Sequence, residues 1–407
     1  MDFFQGKDTH GLLAEYGSPL YVYNEDILRE RCREMVSLCK YKNFKVNYSV
    51  KANANVAFLQ IVRQEGLNAD AMSPGEITSE LAAGFLPEEI FFIANNVSAE
   101  EMRFAVERGI TVSADSLSQL ETFGKINRGG EVSVRINPGI GDGHHEKVIT
   151  GGKKTKFAIN YEDAPQMERI LDKYSLRLVG INQHIGSHFM TGENYLKAMD
   201  ATLSFAKKYK GLEFIDVGGG FGIPYEKQTG ETRLDLAELG REMDIRMERF
   251  AREYGHEVAF KIEPGRYIAA EAGALLGTVY AIKENCGTKY VGTDLGFNVL
   301  VRPMLYDAHH DITVYSKGTP SEKTEAVTVV GNICESGDII AHDRLLPEIA
   351  EGDVLAVMDA GAYGFSMSSS YNNRPRPAEI ILRSDGEVFL ARERETLTSL
   401  IAGCHKL

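Results

Sequence analysis

The chain has 407 residues, 43% of them hydrophobic and 25% charged, with a formal net charge of −13. That balance suits a globular protein of two or three domains. It argues against nucleic acid or an anionic membrane as a main partner, because both need a basic face, and no run approaches the ~20 apolar residues that cross a bilayer. The opening "MDFFQGKDTHG" has no basic stretch leading into an apolar one, so no signal peptide is expected. Five cysteines (Cys32, Cys39, Cys286, Cys334 and Cys404) are scattered and not spaced as metal ligands. Reduced thiols in a cytoplasmic protein are the expectation, with no metal site.

In chain order, "SPLYVYNEDI" reads first, as a strand that joins a later domain. From residue 26 to 272, strand-like runs alternate with helix-like ones. The strands are "KVNYSV", "LNADAM", "IFFIA", "ITVSA", "EVSVRIN", "LVGINQHI", "EFIDVG" and "AFKIEP". Segments such as "PGEITSELAAGF", "AEEMRFAVERG" and "LDLAELGREMDIRMERFAREYG" separate them as helices. Eight β/α units over about 250 residues predict a (β/α)8 TIM-type barrel, with a doubly wound sheet as the alternative. Beyond residue 273 the texture becomes short, β-branched and turn-rich, as in "GALLGTVYAI", "EAVTVVGNI", "DVLAVMDAG" and "AEIILRS". Residues 273–407 together with 1–25 are therefore expected to form a second, mainly β domain. A short C-terminal helix is expected over "ETLTSLIAGC".

In such a barrel the chemistry gathers where strands end and βα loops begin. Lys51, in "YSVKAN", closes strand one; taken alone, a lysine there is commonly just solvated. "DAMSPGE" follows strand two, "RINPG" strand five and "HIGSH" strand six, while "DVGGGFG" follows strand seven and "EPGR" strand eight. The triplet Gly218, Gly219 and Gly220 is expected to leave bare backbone N–H groups near an anion. It lacks the Lys-Ser/Thr of a Walker loop, so a nucleotide is disfavoured. Arg266 is placed to supply a phosphate's countercharge and Ser187 a hydroxyl. Glu263 ends the strand-like run "AFKIEP". A lysine amine, a phosphate cradle and an acid facing a pyridine nitrogen are together what pyridoxal 5'-phosphate requires. His184 is placed to lie flat on its ring. A metal role for His184 is disfavoured because His188 lacks a clear third ligand.

With those residues in view, the chain resembles the fold-type III pyridoxal-phosphate-dependent decarboxylases, and closely the diaminopimelate decarboxylase family. The resemblance runs over nearly the whole chain. Its carriers are "YSVKAN", "RINPG" with "TGGKKTKFAI", "HIGS", "GGGFG", "EPGR", "RPMLYDAHH", "CESGD" and "GAYGFSMSSSYNNRPRP". It implies that Lys51 forms the internal Schiff base, that His184 stacks on the ring, and that Ser187, Gly218, Gly219, Gly220, Gly265, Arg266 and Tyr363 contact the cofactor, with Glu263 on the pyridine nitrogen. It implies further that Arg266, Arg302, Tyr306 and Tyr363 hold the substrate, that Cys334 donates a proton, and that Glu335 reads the distal amine. Cys334 and Glu335 would then reach the site from a partner subunit, making the protein a homodimer with shared active sites. The implied reaction is decarboxylation of meso-diaminopimelate to L-lysine, the last step of lysine biosynthesis.

Two departures from the family pattern are Asn182, where many relatives carry another histidine, and Leu295, where alanine is common. The alternatives left open are a related decarboxylase acting on ornithine, arginine, lysine or a carboxylated polyamine, an amino-acid racemase, and a non-catalytic cofactor carrier. A racemase favours an arginine at the ring nitrogen; Glu263 argues against it.

Overall fold

A computed structural model describes residues 2–143, 145, 150–152 and 155–407. Lys153 and Lys154 of the "TGGKKTKFAI" motif lie outside the described residues. The chain divides into two compact units. One comprises Glu30–Ile223 and Arg233–Ile268; the other comprises Met1–Arg29, Pro224–Thr232 and Ala269–Leu407.

The first unit is the expected barrel. Its eight strands are Phe44–Ser49, Asn68–Ala71, Ile90–Phe92, Thr111–Ala114, Glu131–Asn137, Arg177–Asn182, Phe214–Gly219 and Ala259–Glu263. Each pairs in parallel with the next, and the eighth pairs back onto the first through Phe260↔Phe44 and Ile262↔Val46, which closes the ring. Alternation along each strand sets the two faces. Apolar residues such as Val46, Tyr48, Ile215, Val217, Phe260 and Ile262 are buried on one. The other is polar: Asn47 on strand one donates to Asp216 on strand seven at 3.4 Å, and Ser113 on strand four donates to Asn182 on strand six at 2.6 Å. Neither pair joins neighbouring strands, so these bonds cross the lumen. Asn182, the departure from the family pattern, serves here as an acceptor inside the barrel.

Local signals fix the helices that follow the strands. Asn55 caps the helix Val56–Gln64 by accepting from Ala57 and Phe58. Ser73 caps Pro74–Ala83, which starts with proline and ends on Gly84 at φ +97°. Ser98 and Glu101 form a reciprocal capping box on Ala99–Val106.

The second unit is mainly β. Strand Leu20–Asn24 pairs antiparallel with Gly273–Asn285 and parallel with Ala378–Leu382, so "SPLYVYNEDI" does join the later sheet. Leu20, Val22, Leu276, Ala356, Ile380 and Leu382 make its core, and Leu12 and Leu13 of the helix Thr9–Tyr16 pack on it. That helix, the strand Ile339–Pro347 and the inclusion of Pro224–Thr232 were not foreseen from the sequence.

The expected C-terminal helix is corrected: only a 3-10 turn forms, at Ser399–Ile401. Thr396 and Ser399 capture each other's backbone N–H groups at 3.0 Å, and Leu397 and Ile401 remain exposed. Without a face to bury, the local side-chain bonds win.

Candidate active site

Lys51 lies in a 3-10 turn, Val50–Ala52, two residues past the end of strand one. Gly265 makes that position possible. A Cβ on Gly265 would lie 2.9 Å from the Cβ of Ser49 and 3.2 Å from that of Ala52, so only glycine lets the "EPGR" turn pack on the lysine-bearing one. Ser49 is the hinge between them: its hydroxyl lies 2.7 Å from Asp70 Oδ2 and 3.1 Å from the Glu263 carbonyl oxygen.

The glycine triplet corrects an expectation. The Gly218 N–H is not bare; it donates to Asp216 Oδ1 at 2.9 Å, and the Gly219 N–H donates to His184 Nδ1 at 3.2 Å. What the glycines supply is close approach. A Cβ on Gly218 would stand 2.3 Å from the Gln183 oxygen, on Gly219 1.8 Å from the Glu263 oxygen, and on Gly220 2.4 Å from the Gly186 oxygen. The ends of strands six, seven and eight are thereby drawn together. The His188 and Phe189 N–H groups both donate to the Gly220 oxygen, tying the sixth loop to the seventh. Arg266 Nη2 donates to Ser187 Oγ at 2.9 Å, so the expected countercharge and hydroxyl do meet.

Burial sets the electrostatics. Glu263 is 2% exposed, and its Oε1 has no hydrogen-bond partner. Burial, then the carboxylates of Asp216 and Asp70, push its pKa well above the ordinary range, against the opposing pull of Lys51 and Arg135. Burial likewise raises Asp216 to about 6, although the Gly218 N–H, Lys261 and a hydrogen bond from Glu263 favour its charge. Asp70 rises to about 7, mainly through burial, with Lys51 and Ser49 opposing. His184 moves the other way: burial, then Lys51 and Arg135, lower it well below its usual value. Nδ1 accepts from Gly219, so the neutral ring carries its proton on Nε2, and the 3.7 Å approach of Glu263 Oε2 is not an ion pair.

These residues fit a pyridoxal group. An acid whose protonated form burial favours, with one oxygen left unpartnered, suits a ring nitrogen. A neutral imidazole fixed by a backbone amide suits a ring face, and the paired Arg266 and Ser187 suit a phosphate.

Residues 25–270 match the family model described as the pyridoxal binding domain of pyridoxal-dependent decarboxylases. This chain belongs to the pyridoxal-dependent decarboxylases. Over 98% of its length it is 43% identical to the diaminopimelate decarboxylase of Methanothermobacter thermautotrophicus, covering 94% of that protein. In structure it resembles the diaminopimelate decarboxylase of Helicobacter pylori solved with L-lysine, with a TM-score of 0.89 and 32% identity over 97% of this chain and 98% of that one. The M. jannaschii enzyme in complex with L-lysine gives a TM-score of 0.89 at 33% identity, covering 99% of this chain and 95% of that one.

The decarboxylase's remaining candidates belong to the second unit. Arg302 and Tyr306 are the first and last residues of a five-residue helix, and Arg302 is 2% exposed. The "CESGD" turn packs beside this helix: a Cβ on Gly337 would lie 3.8 Å from Met304 Cγ. Asn372 grips Cys334 twice, accepting its backbone N–H at 3.2 Å and donating to its sulfur at 3.4 Å. The Tyr371 hydroxyl donates to Glu335 at 2.8 Å. Tyr363 adopts φ +57°, a strained value for a bulky residue. Leu295 is fully buried against Gly277, where any Cβ would stand 2.3 Å from Leu295 Cγ.

The sequence marked Asp70, Glu76, Asp216 and Arg135 by position but gave them no role. Lys261 and Glu80 were missed. A lysine between Phe260 and Ile262, facing the lumen with Glu263, was the available signal for the first. A second acid four residues after Glu76 was the signal for the other.

Proposed function

We propose that this protein decarboxylates meso-diaminopimelate to L-lysine with pyridoxal 5'-phosphate as cofactor. The observation that carries the reading is the barrel-end constellation of Lys51, His184 and the proton-holding Glu263 around the glycine triplet, in a chain that matches diaminopimelate decarboxylases over nearly its full length. When bound, the cofactor supplies an aldehyde that condenses with amines and a protonated ring that takes up the electron pair left as carbon dioxide departs.

Lys51 would hold the cofactor's aldehyde end through its side-chain amine. Glu263 would keep the ring nitrogen protonated. His184, uncharged, would cover a ring face without competing for that proton. Ser187 and Arg266, beside the loops that Gly218, Gly219, Gly220 and Gly265 let pack closely, would hold the phosphate end, and Tyr363 would contact cofactor and substrate. The barrel unit, Glu30–Ile223 with Arg233–Ile268, would thus be the cofactor domain. Cys334 delivers the proton to Cα, and Asn372 holds its sulfur for that transfer.

Substrate choice follows from charge. The far end of meso-diaminopimelate carries both a carboxylate and an ammonium. Arg302 with Tyr306 meets the first and Glu335 the second; an ornithine or lysine decarboxylase needs only the anion. Arg302→Ala should cost about 2–5 kcal/mol of transition-state binding, read as the fall in kcat/KM, as for other buried charged contacts. Unchanged kinetics would remove the substrate assignment. The enzyme works as a homodimer, with Cys334 and Glu335 completing the partner's site, in the cytoplasm where its five thiols stay free. Among the described residues no helix is long and apolar enough to cross a membrane.

The purified protein with added cofactor should release carbon dioxide and form L-lysine from meso-diaminopimelate, and not from ornithine or arginine. Borohydride should fix the cofactor to Lys51, as peptide mass mapping reads directly. Absence of a Lys51 adduct would sink the reading.

A further inference from the structure

The helix Arg302–Tyr306 opens on a buried cation, and a histidine eight residues later holds it. His310 is 2% exposed, as is Arg302. Its Nδ1 lies 2.8 Å from the Met358 carbonyl oxygen, which can only accept, so Nδ1 carries the proton. Nε2 lies 2.6 Å from Arg302 Nη1, which can only donate, so Nε2 is the lone pair of a neutral ring. The two contacts select one tautomer.

The frame behind the ring is rigid. The Met358 N–H donates to the Asp311 oxygen at 2.9 Å, next to the antiparallel pair Ile312↔Val357. Arg344 Nη1 donates to the His310 oxygen at 2.9 Å. Tyr225 closes the remaining side, its ring centroid 4.6 Å from Arg302 Cζ and 5.3 Å from the His310 ring.

We propose that His310 is a positioning residue for substrate recognition: its uncharged Nε2 acceptor, locked by the Met358 carbonyl, orients the Arg302 guanidinium for the substrate's distal carboxylate. This rests on the assignment of Arg302 to that carboxylate and adds how the fork is aimed. A carboxylate in the place of His310 would also orient the guanidinium, but it would cancel the charge that the substrate must meet. A neutral acceptor orients and leaves the charge in place. Fixing the side chain beforehand also removes an entropic cost from binding.

The test is steady-state kinetics of the holoenzyme on meso-diaminopimelate for His310→Leu, His310→Gln and Arg302→Ala. His310→Leu removes the acceptor and should raise KM about 10- to 100-fold, as expected for loss of a hydrogen bond to a charged group. Its kcat should stay within about threefold, because the chemistry at Cα is untouched. His310→Gln, whose Oε1 reaches the place of Nε2, should recover most of the KM. A purely structural role would instead lower melting temperature and active fraction for both variants without splitting KM from kcat.

If His310→Leu leaves KM unchanged while Arg302→Ala destroys it, the positioning role is overturned and the Arg302 assignment stands. If Arg302→Ala also leaves it unchanged, the Arg302 assignment itself falls. Should the leucine variant fail to fold, imidazole 15N spectra of the wild-type holoenzyme decide. An unprotonated Nε2 on His310 supports the role, and a protonated Nε2 overturns it.

Discussion

Glu80 sits on the helix Pro74–Ala83, wholly buried, with both carboxylate oxygens unpartnered. Burial, then the neighbouring Asp70 and Glu76, raise its pKa to about 9. Its unfolded value is near 4.3, so folding favours the protonated form. The stability linked to this group is complete below the unfolded value and drains away as pH climbs toward 9. Between pH 5 and pH 8 the wild type should lose about 2–4 kcal/mol through Glu80, at about 1.4 kcal/mol per unit. Glu80→Met keeps the volume and removes the acid. Denaturant midpoints at the two pH values should therefore show a smaller fall for the variant; equal falls would mean that Glu80 is not held protonated. The same burial acts on Glu263, but there the retained proton has a proposed use at a ring nitrogen. One physical effect thus gives a stability cost at one acid and a reactive group at another.

At the scale of elements, the glycine triplet shows why a loop sequence can be rigid without a side chain. Gly219 pairs in register with Glu263, and any Cβ there meets a backbone carbonyl that cannot swing away. Gly219→Ala should destabilise the barrel by about 1–3 kcal/mol or more, the usual range for overpacking, and should weaken the cofactor's visible absorbance band. Gly318→Ala is the control, since nothing lies within 4 Å of its Cβ position. It should stay within about 0.5 kcal/mol, as open surface sites do. Equal effects at the two sites, read from thermal melts and from cofactor titration, would refute close approach as the reason for the triplet. The barrel strands follow the same logic of paired faces. Apolar positions alternate with Asn47, Ser49, Asp70, Arg135, Asp216 and Glu263, so the lumen carries the chemistry while the other face carries the packing.

At the scale of the whole molecule, the proposed shared site makes a prediction that no single-chain assay can. Lys51→Ala and Cys334→Ala homodimers should each be nearly inactive. Reassembled at equal ratio, half the dimers pair one variant with the other, and each such dimer owns one intact site of two. Activity should return to roughly a quarter of wild type under this isologous arrangement. No recovery, with mixed dimers verified by mass, would place Cys334 in the site of its own chain.

The alternating strand-like and helix-like runs and the short, turn-rich runs beyond residue 273 read directly from the sequence as eight β/α units and a later β domain, because those signals are local. Motif spacing likewise located Lys51, His184, Ser187, Glu263 and Arg266 at strand ends. It could not find Glu80 or Lys261, or assign a role to His310, because burial, tautomer and charge coupling depend on neighbours far along the chain. It misjudged the glycine amides for the same reason: their partners, Asp216 and His184, are chosen by the stacking of strands six, seven and eight. The C-terminal helix failed because a helical pattern needs a face to bury, and the tertiary structure provides none there. Sequence by itself determined the eight β/α units, the mainly β character of the later domain and which reactive groups stand at the barrel's strand ends. Only the tertiary structure decided which of those groups hold a proton, since a dielectric environment is a property of packed neighbours rather than of any residue.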